Sequence, residues 1–330
     1  MRIGMNPQKQ EKKIDLKSNH RIVIVVFIPQ LEGYYANIFE VLKLSVNSAY
    51  ATKNNSCEIT LVNNGSCKIV TDYLNQLYDE GIINCVIHHG KNIGKMDALI
   101  GAARTAREEF VTLADIDILF VKGWQENVEK LFDAIPGVGS VSPISVRASH
   151  RYSTFSTMEK VLLKKVNFKY EIIEENFDAY NRFLESINWG SEKNSKAKWP
   201  VIEYKNQKAI MGSSHQILTI KRYLLFTTVP IEPSLTLVGN NSEYEYLDLP
   251  IDLSGRMRLS TYHNFAFHMG NKVESWMTEV QNNNLSQPRS IVASANFGVT
   301  KRTKLETFGY SLKKKIVKKL FKLIYKYQTP

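Results

Sequence analysis

The chain has 330 residues, enough for one large domain or two joined halves with a sizeable core. Its hydrophobic fraction of 43% and charged fraction of 23% are ordinary for a globular protein, and its formal net charge is +11. Residues 301–330 hold ten Lys or Arg and one acidic residue, so the rest of the chain is nearly neutral. A duplex-binding surface would spread its basic side chains over the folded domain, and we therefore expect no nucleic acid partner.

The cysteine content predicts a reducing compartment, and the lengths of the apolar runs predict no transmembrane helix. Cys57, Cys67 and Cys85 are odd in number and lack the spacing of metal ligands, which predicts reduced thiols in the cytoplasm. Residues 1–20 are polar and Lys-rich, without the apolar stretch of a signal peptide, and are expected to be a flexible tail. No run approaches the roughly 18 apolar residues of a transmembrane helix.

Strands and helices alternate in the first hundred residues after this tail. The predicted strands are RIVIVVFIP, CEITLVNNGS, INCVIHH and EFVTLADIDILF. The predicted helices between them are ANIFEVLKLSVNSAYA, VTDYLNQLYDEG and GKMDALIGAARTA. This alternation predicts an α/β fold with a doubly wound parallel sheet, in which ligands bind at the carboxyl ends of the strands.

The alternation weakens after residue 121. The segment YEIIEENFDAYNRFLESI predicts a helix, and NWGSEKNSKAKWP predicts a loop. Two later segments, AIMGSSHQILTIKRYLLF and RLSTYHNFAFHMGN, are predicted to contain strands around a turn of small residues.

Three strand ends carry polar or small residues, at 29–32, 63–66 and 115–117, and we expect them to meet in one crevice. Asp115 and Asp117 have the i, i+2 spacing that puts both side chains on one face of an extended strand. Two carboxylates so close repel each other unless a cation lies between them. The alternative is a solvated turn, in which Asp is common. None of the three ends is a Gly-rich phosphate loop, which argues against dehydrogenases and P-loop enzymes.

A pair of acids at a parallel strand end suits the chemistry of a nucleotide diphosphate. Mg²⁺ and Mn²⁺ bind hard oxygen ligands, commonly one or two carboxylates together with phosphate oxygens. The D-x-D pair in LADID therefore predicts a site where a divalent metal holds a diphosphate.

The order of these elements resembles the family 2 glycosyltransferases, which have the GT-A fold, from about Arg21 to Gly270. ITLVNNGS is similar to the family's strand ending in Asp-Asn-Gly-Ser, NIGKMDAL to its Gly-Lys region, and LADID to its D-x-D. EYEYLDLPIDLSG resembles its Glu-Asp-x-Asp-Leu helix, and FHMG resembles the segment with its late metal-binding His. The resemblance implies a GT-A-like mixed sheet over residues 21–275, with a nucleotide-sugar half at 21–120 and an acceptor half at 121–275. Residues 276–330 would form a C-terminal extension.

The resemblance also implies roles for individual residues. Asn63 would contact the nucleotide base and Lys95 the diphosphate, while Asp115 would face the ribose or the metal. The full donor-binding set is Pro29, Asn63, Asn64, Asn92, Lys95 and Asp115. The implied ligands of Mn²⁺ or Mg²⁺ are Asp115, Asp117 and His268.

The chain departs from the family pattern at two places. Asn63 stands where the family usually has Asp, although an amide both donates and accepts hydrogen bonds and still pairs with a base edge. In the register that aligns Leu247, Leu249 and Gly255, Tyr244 stands where the family has its catalytic Asp. A register shifted by one puts Glu243 there, and a register shifted by two brings Glu245 to the Glu position with Asp248 behind it. An inverting transfer needs a group that takes the proton of the acceptor hydroxyl. Glu243 is our first choice for this base and Glu245 the second. Alternating acids do not share a helix face, so we expect at most one of the two to point into the site.

Aromatic side chains can stack on sugar rings, and Trp189, Trp199 and Trp276 lie in the half expected to bind the acceptor. The alternative for each is a place in the core, where most Trp residues are found.

The segment SLKKKIVKKLFKLIYKY, residues 311–327, separates apolar and Lys residues onto opposite sides of a helix. An amphipathic helix whose polar face has no acidic residue is typical of binding to an anionic membrane surface. The alternative is a helix that packs on the body of the protein or joins two copies.

Together with the family resemblance, these observations predict an inverting, metal-dependent glycosyltransferase. The resemblance implies the bacterial surface-polysaccharide type, which acts in capsule or lipopolysaccharide assembly. Its donor would be a nucleotide-diphosphate sugar, with UDP-sugars favoured, and its acceptor a glycan or a lipid-linked glycan. It would be cytoplasmic and peripheral at the inner face of the cell membrane. Two alternatives stay open, a sugar-nucleotide nucleotidyltransferase and a catalytically impaired membrane-bound scaffold of the same fold.

Overall fold

The structure is a computed structural model that describes residues 4–6, 9, 14–239, 241–292 and 310–325. Its strands are β1 (His20–Val26), β2 (Cys57–Asn64), β3 (Cys85–His89), β4 (Phe110–Ala114), β5 (Ile118–Phe120), β6 (Val138–Ser142), β7 (Asn167–Ile172), β8 (Lys198–Tyr204), β9 (Gln207–Met211), β10 (Ile217–Lys221), β11 (Met257–Thr261) and β12 (Ala266–His268). Its α-helices are α1 (Ile38–Thr52), α2 (Lys68–Asp79), α3 (Lys95–Thr105), α4 (Trp124–Ala134), α5 (Phe155–Leu162), α6 (Phe177–Ser186), α7 (Leu224–Thr227), α8 (Leu249–Leu253), α9 (Ser275–Ser286) and α10 (Tyr310–Tyr325).

The described strands form a ten-stranded mixed sheet in the order β3-β2-β1-β4-β10-β6-β11-β9-β8-β7, and a two-stranded sheet of β12 and β5. The pairs β3-β2, β2-β1 and β1-β4 are parallel, as the alternation of strands and helices predicts. β10 then runs antiparallel to both β4 and β6, and this makes the sheet mixed. The predicted α/β class with a mixed sheet is confirmed.

The parallel half is covered by helices on both faces. Along β1, alternate side chains point to opposite faces, and every residue of the strand is buried. Ile22 and Ile24 belong to a core that includes residues of α1 and α2. Val23 and Val25 belong to a second core that includes residues of α3. The sheet is therefore doubly wound in this half, and the carboxyl ends of β1, β2 and β4 lie at one edge.

Two predictions about local structure are wrong. The predicted helix that begins YEII is helical only from Glu174, where a 3-10 turn leads into α6, because residues 167–172 form β7 and pair antiparallel with β8. Cross-strand pairing overrides helical spacing here, since Phe168, Tyr170 and Ile172 have the alternation that a strand requires. The start of β8 at Lys198 also lies within the predicted loop.

The acid pair does not lie on a strand face. β4 ends at Ala114, Asp115–Asp117 form a turn, and β5 begins at Ile118. The reason is that β5 leaves the large sheet and pairs with β12. The prediction that one extended strand carries both acids is therefore wrong, although both side chains still reach the same cavity.

The tail helix α10 packs on the body through one side. Phe321 is fully buried, and its ring centroid lies 5.1 Å from that of Phe168 in β7. Lys313 forms an ion pair with Glu159 of α5. Five other apolar side chains of α10 are exposed, namely Leu312, Ile316, Leu320, Leu323 and Ile324.

Across the part of the chain that the structure describes, no helix combines the length and the apolarity needed to cross a bilayer.

Candidate functional site

A cavity of about 590 Å³ opens at the carboxyl ends of β1, β2 and β4, and we call it the donor cavity. It is lined by Val25, Phe27, Tyr34, Tyr35, Ile38, Asn64, Asn92, Lys95, Asp115, Ile116, Asp117, Leu237 and Val238. The predicted strand ends at 63–66 and 115–117 both contribute to this lining. Pro29 is exposed and is not part of the lining.

Lys95 is the main cation of the donor cavity. Its Nζ lies 2.7 Å from Asp115 Oδ1 and 3.2 Å from Glu243 Oε1. Burial lowers the pKa of Lys95, but the two carboxylates outweigh burial and raise it above its ordinary value. Burial and the nearby Asp117 raise the pKa of Asp115, although Lys95 opposes both effects. Lys95 therefore stays charged and compensates a buried cluster of negative charge.

The backbone around Gly94 holds Lys95 at the first turn of α3. Gly94 has a φ of +101°, and a Cβ at this position would lie 2.3 Å from the carbonyl oxygen of Thr236. The amide of Lys95 donates to the carbonyl of Leu237 at 2.8 Å. The carboxylate of Asp97 accepts from the amides of Ser234 and Leu235 at 2.6 and 2.9 Å. These contacts fix residues 234–238 across the start of α3, where they form one wall of the donor cavity.

Asp117 and His268 face each other across the junction of β5 and β12. Asp117 Oδ2 lies 3.2 Å from His268 Nε2, and the backbone amide of Met269 donates to the carbonyl of Asp117 at 2.8 Å. His268 Nδ1 lies 2.8 Å from Ser186 Oγ, which orients the ring. Burial lowers the pKa of His268, but the contact with Asp117 outweighs burial and raises it.

One buried oxygen supports a cation at this place. Asp117 Oδ1 is buried and has no hydrogen-bond partner among the described residues. An unpaired buried carboxylate oxygen is costly unless a cation or a water completes its shell. No group of three His, Cys, Asp or Glu side chains within the described ranges could hold a metal ion by itself. Asp117 and His268 therefore fit a metal that takes its other ligands from a bound diphosphate and water.

The two asparagines at the end of β2 have different surroundings. Asn63 Nδ2 donates to Thr71 Oγ1 at 2.8 Å, and its Oδ1 accepts from the amide of Ser66 at 2.8 Å. The Asn63 side chain is thus engaged in the turn after β2 and does not line the donor cavity. Asn64 lines the cavity and donates to Asn92 Oδ1 at 2.9 Å. The base-contact role of Asn63 stays a prediction.

The two predicted base carboxylates also differ. Glu243 is held by Lys95, and although burial raises the pKa of Glu243, the ammonium of Lys95 outweighs burial and lowers it. Glu245 is exposed. Tyr244 lies between them in sequence and lines a different cavity. The base role of Glu243, or of Glu245, stays a prediction.

A second cavity of about 520 Å³ adjoins the donor cavity, and we call it the neighbouring cavity. It is lined by Val146, Ala148, Ser149, Tyr152, Phe183, Ile187, Trp189, Ser213, Ser214, His215, Gln216, Asn241, Tyr244 and Asp248. The amide of Asp115 donates to the carbonyl of Gln216 at 2.9 Å, which joins the walls of the two cavities. The prediction from sequence did not include His215. The segment GSSHQ between two strands was the available signal.

The three tryptophans have different places. Trp189 is 56% exposed and lines the neighbouring cavity. Trp199 is buried against Tyr180, with ring centroids 5.4 Å apart. Trp276 packs edge-on to Phe267. Of the three, only Trp189 lines either of the two cavities.

Comparison with known proteins gives one family match. Residues 34–188 match the sequence model of the family described as "Glycosyl transferase family 2". The matched part includes the acid pair and Lys95, and it ends before the segments with Glu243 and His268. No protein of curated function matches the chain.

The solved structures that match the chain are distant in sequence. A mannosyltransferase from Pyrobaculum calidifontis in complex with GDP-Man and Mn²⁺ is 15% identical, with 79% of this chain and 62% of that chain covered and a TM-score of 0.43. S. aureus TarS 1–349 is 11% identical, with 76% of this chain and 60% of that chain covered and a TM-score of 0.45. The chain thus spans about three fifths of the length of these two structures.

The family match covers α1 to α6 and therefore the acid turn, the start of α3 and most of the donor cavity. These elements have the order and the parallel pairing that the resemblance implies. Residues 34–188 are therefore similar to glycosyl transferase family 2, and this similarity spans the part of the chain that lines most of the donor cavity.

Proposed function

We propose that this protein transfers a sugar, with inversion, from a nucleotide-diphosphate donor to a hydroxyl of a glycan or lipid-linked acceptor. The process would be bacterial surface-polysaccharide assembly, of capsule or lipopolysaccharide. The observation that carries the proposal is the meeting of Lys95, Asp115 and Asp117 in one cavity at the carboxyl edge of a doubly wound sheet. This is the edge at which such sheets bind nucleotides.

The donor cavity has side chains complementary to the base and to the diphosphate of a nucleotide sugar. Phe27, Tyr34 and Tyr35 offer aromatic surface for the base, and the amides of Asn64 and Asn92 offer hydrogen bonds. The ammonium of Lys95 attracts the diphosphate. Within the proposal, UDP is the favoured nucleotide, and Pro29 and Asn63 are further donor contacts implied by the family resemblance.

The proposed reaction is a single displacement. The acceptor oxygen attacks the anomeric carbon, the bond to the diphosphate oxygen breaks with its electron pair, and the acceptor's proton goes to a base. Asp117, His268 and Asp115 would hold Mg²⁺ or Mn²⁺, which when bound supplies positive charge to the departing diphosphate. The orphaned oxygen of Asp117 supports this metal role. Glu243 and Glu245 are the carboxylates that sequence proposes for the base.

We also propose that α10 holds the protein at the inner face of the cell membrane. The exposed surface of the helix combines apolar side chains with lysines, namely Leu312, Ile316, Leu320, Leu323, Lys315, Lys319 and Lys322. An apolar stripe flanked by positive charge is complementary to an anionic lipid surface. The body covers Val317 and Phe321 and leaves this stripe uncovered.

A donor screen tests the proposal. The full chain is mixed with UDP-, GDP-, dTDP- and CMP-sugars in the presence of Mn²⁺, and its melting temperature is measured. Sugar transfer to each of a panel of octyl glycosides is measured in parallel from the nucleotide that is released. We expect one nucleotide class to raise the melting temperature by mass action and to support transfer. Absence of both effects for every donor contradicts the proposal. Stabilisation without any turnover supports the scaffold alternative instead.

A further inference from the structure

The neighbouring cavity contains an imidazole that is backed by a buried ion pair. His215 Nδ1 lies 3.5 Å from Asp248 Oδ2, and the His215 side chain is 43% exposed while that of Asp248 is 7% exposed. The other oxygen of Asp248 contacts the guanidinium of Arg258. Within the described part of the chain, Asp248 is the polar partner of His215, and the imidazole otherwise borders the cavity.

Arg258 ties this arrangement to the cavity wall. Its guanidinium is almost fully buried and donates to the carbonyls of Tyr152 at 2.9 Å and Ser213 at 3.0 Å. Both of these residues line the neighbouring cavity. The guanidinium of Arg258, itself anchored to these carbonyls, contacts the carboxylate of Asp248 and fixes its position. Asp248 is therefore a fixed carboxylate directed at one nitrogen of His215.

His215 lies at the same edge of the sheet as the acid turn. β10 runs antiparallel to β4, with Ile217 opposite Ala114, so the residues just before β10 adjoin those just after β4. The amide of Asp115 donates to Gln216, the next residue after His215. The adjacent residues Glu243 and Tyr244 also divide between the two cavities, since Glu243 pairs with Lys95 and Tyr244 lines the neighbouring cavity. The imidazole thus stands beside the donor cavity, on the side that a second substrate would occupy.

We infer that His215 is the general base of the transfer and that Asp248 is its positioning residue. This inference rests on the proposed function. The acceptor hydroxyl gives its proton to Nε2 of His215 as its oxygen bonds to the anomeric carbon. The electron pair of the broken bond leaves with the nucleotide diphosphate. Asp248 holds the ring and stabilises the imidazolium that forms, as a carboxylate does in other acid–base pairs with histidine.

This assignment accounts for two features of the chain. In the register of the family resemblance that aligns Leu247, Leu249 and Gly255, Tyr244 takes the place of the catalytic Asp and brings no carboxylate. Glu243, next to it, is engaged by Lys95, and this contact lowers the pKa of Glu243 and makes it a weaker base. The imidazole of His215 borders the neighbouring cavity and offers a ring nitrogen that can accept the proton of an acceptor hydroxyl.

The test uses the donor and octyl glycoside pair that the wild-type full chain turns over. His215→Gln is expected to lower kcat by about 10²- to 10⁴-fold, the usual contribution of a general base, with donor affinity within twofold of wild type. His215→Ala is expected to regain activity when free imidazole is added, which a structural role would not produce. The matched control is His89→Gln, which makes the same change outside both cavities and should leave kcat unaltered.

Asp248→Asn tests the positioning role, because its effect on kcat should not add to that of His215→Gln if Asp248 acts through His215. It should lower kcat without changing donor affinity, and adding it to His215→Gln should cause little further loss. The His215 variants decide the inference alone if Asp248→Asn does not fold. A His215→Gln kcat within threefold of wild type, or no imidazole rescue, overturns the inference. Absence of any wild-type transfer overturns the proposed function instead, so the two failures are distinct.

Discussion

The ammonium of Lys95 lies 3.2 Å from the carboxylate of Glu243. This ion pair connects the two halves of the mixed sheet at the wall of the donor cavity. Lys95 begins α3, which packs on the parallel strands, and Glu243 comes from the turn before α8. Asp115 contacts the same ammonium at 2.7 Å. Within the proposed function, a diphosphate that binds Lys95 would share this cation with two carboxylates, and donor binding would then depend on both halves of the sheet.

Replacement of Glu243 by Gln distinguishes two roles for this carboxylate, restraint of Lys95 and general base of the transfer. Because Glu243 restrains Lys95, we expect Glu243→Gln to change donor affinity several-fold and kcat only modestly. Donor affinity is measured by calorimetry and kcat by nucleotide release. A kcat that falls by 10²-fold or more with unchanged donor affinity would instead make Glu243 the base, as sequence first predicts, and would contradict the role of His215. Glu245→Gln is the control, because Glu245 is exposed and is the second carboxylate that sequence proposes as the base.

Asp117→Asn should abolish transfer while the fold persists. The substitution keeps the volume of the side chain but removes the charge that pairs with His268 and would hold a metal. Transfer is measured with Mn²⁺, with Mg²⁺ and after treatment with a chelator, and folding is measured by the cooperativity of the melt. Near wild-type turnover of Asp117→Asn in chelator-treated buffer would disprove metal dependence.

Gly94→Ala should damage the donor cavity, whereas Gly101→Ala in the same helix should stabilise the protein. A Cβ on Gly94 would lie 2.3 Å from the carbonyl oxygen of Thr236 at a φ of +101°, so residues 234–238 must move away from α3. Gly101 is within α3, and a Cβ added there would meet nothing within 4 Å, so alanine gains about 0.5–1 kcal/mol of helix propensity. Melting temperature and donor affinity are measured for both variants, and equal effects would contradict this account.

Glu171 should support folding in a defined pH window. Burial raises the pKa of Glu171, but hydrogen bonds from Lys169, Lys208 and Tyr262 outweigh burial and lower it to about 2. A carboxyl whose folded pKa is depressed contributes stability above its unfolded pKa of about 4.3 and loses it as pH falls towards about 2. Glu171→Gln should therefore melt below wild type at pH 7, and the difference should shrink as pH falls through this window. A constant difference across the window would exclude this ion-pair contribution.

Much of the nucleotide half could be predicted from sequence, because its strands are continuous apolar runs and its helices have clear spacing. β1 and α3 are within a few residues of their predicted bounds. The convergence of Lys95 on Asp115 could be expected from the family resemblance and from the parallel topology.

The second half could be predicted less well because its contacts are distant in sequence. The segment of β7 has apolar spacing that also fits a helix, but it forms a strand because β8 provides a partner. The backing of His215 by Asp248 and Arg258 depends on β10, the turn before α8 and β11, and no local pattern brings them together. The docking of α10 also depends on a partner, because Phe321 meets Phe168 far from it in the chain.

The tail helix should have two separable roles, folding through its buried side and membrane binding through its exposed side. Phe321→Ala removes a fully buried ring and should cost about 3–5 kcal/mol of stability, measured by denaturant unfolding. Leu320→Gln combined with Leu323→Gln changes side chains that are 46% and 66% exposed, and should leave stability within about 0.5 kcal/mol. The double variant should nevertheless be released from anionic vesicles in co-sedimentation at high salt, because the lysines alone are screened whereas the apolar stripe is not. Equal pelleting of wild type and the double variant at high salt would exclude the apolar stripe as the anchor.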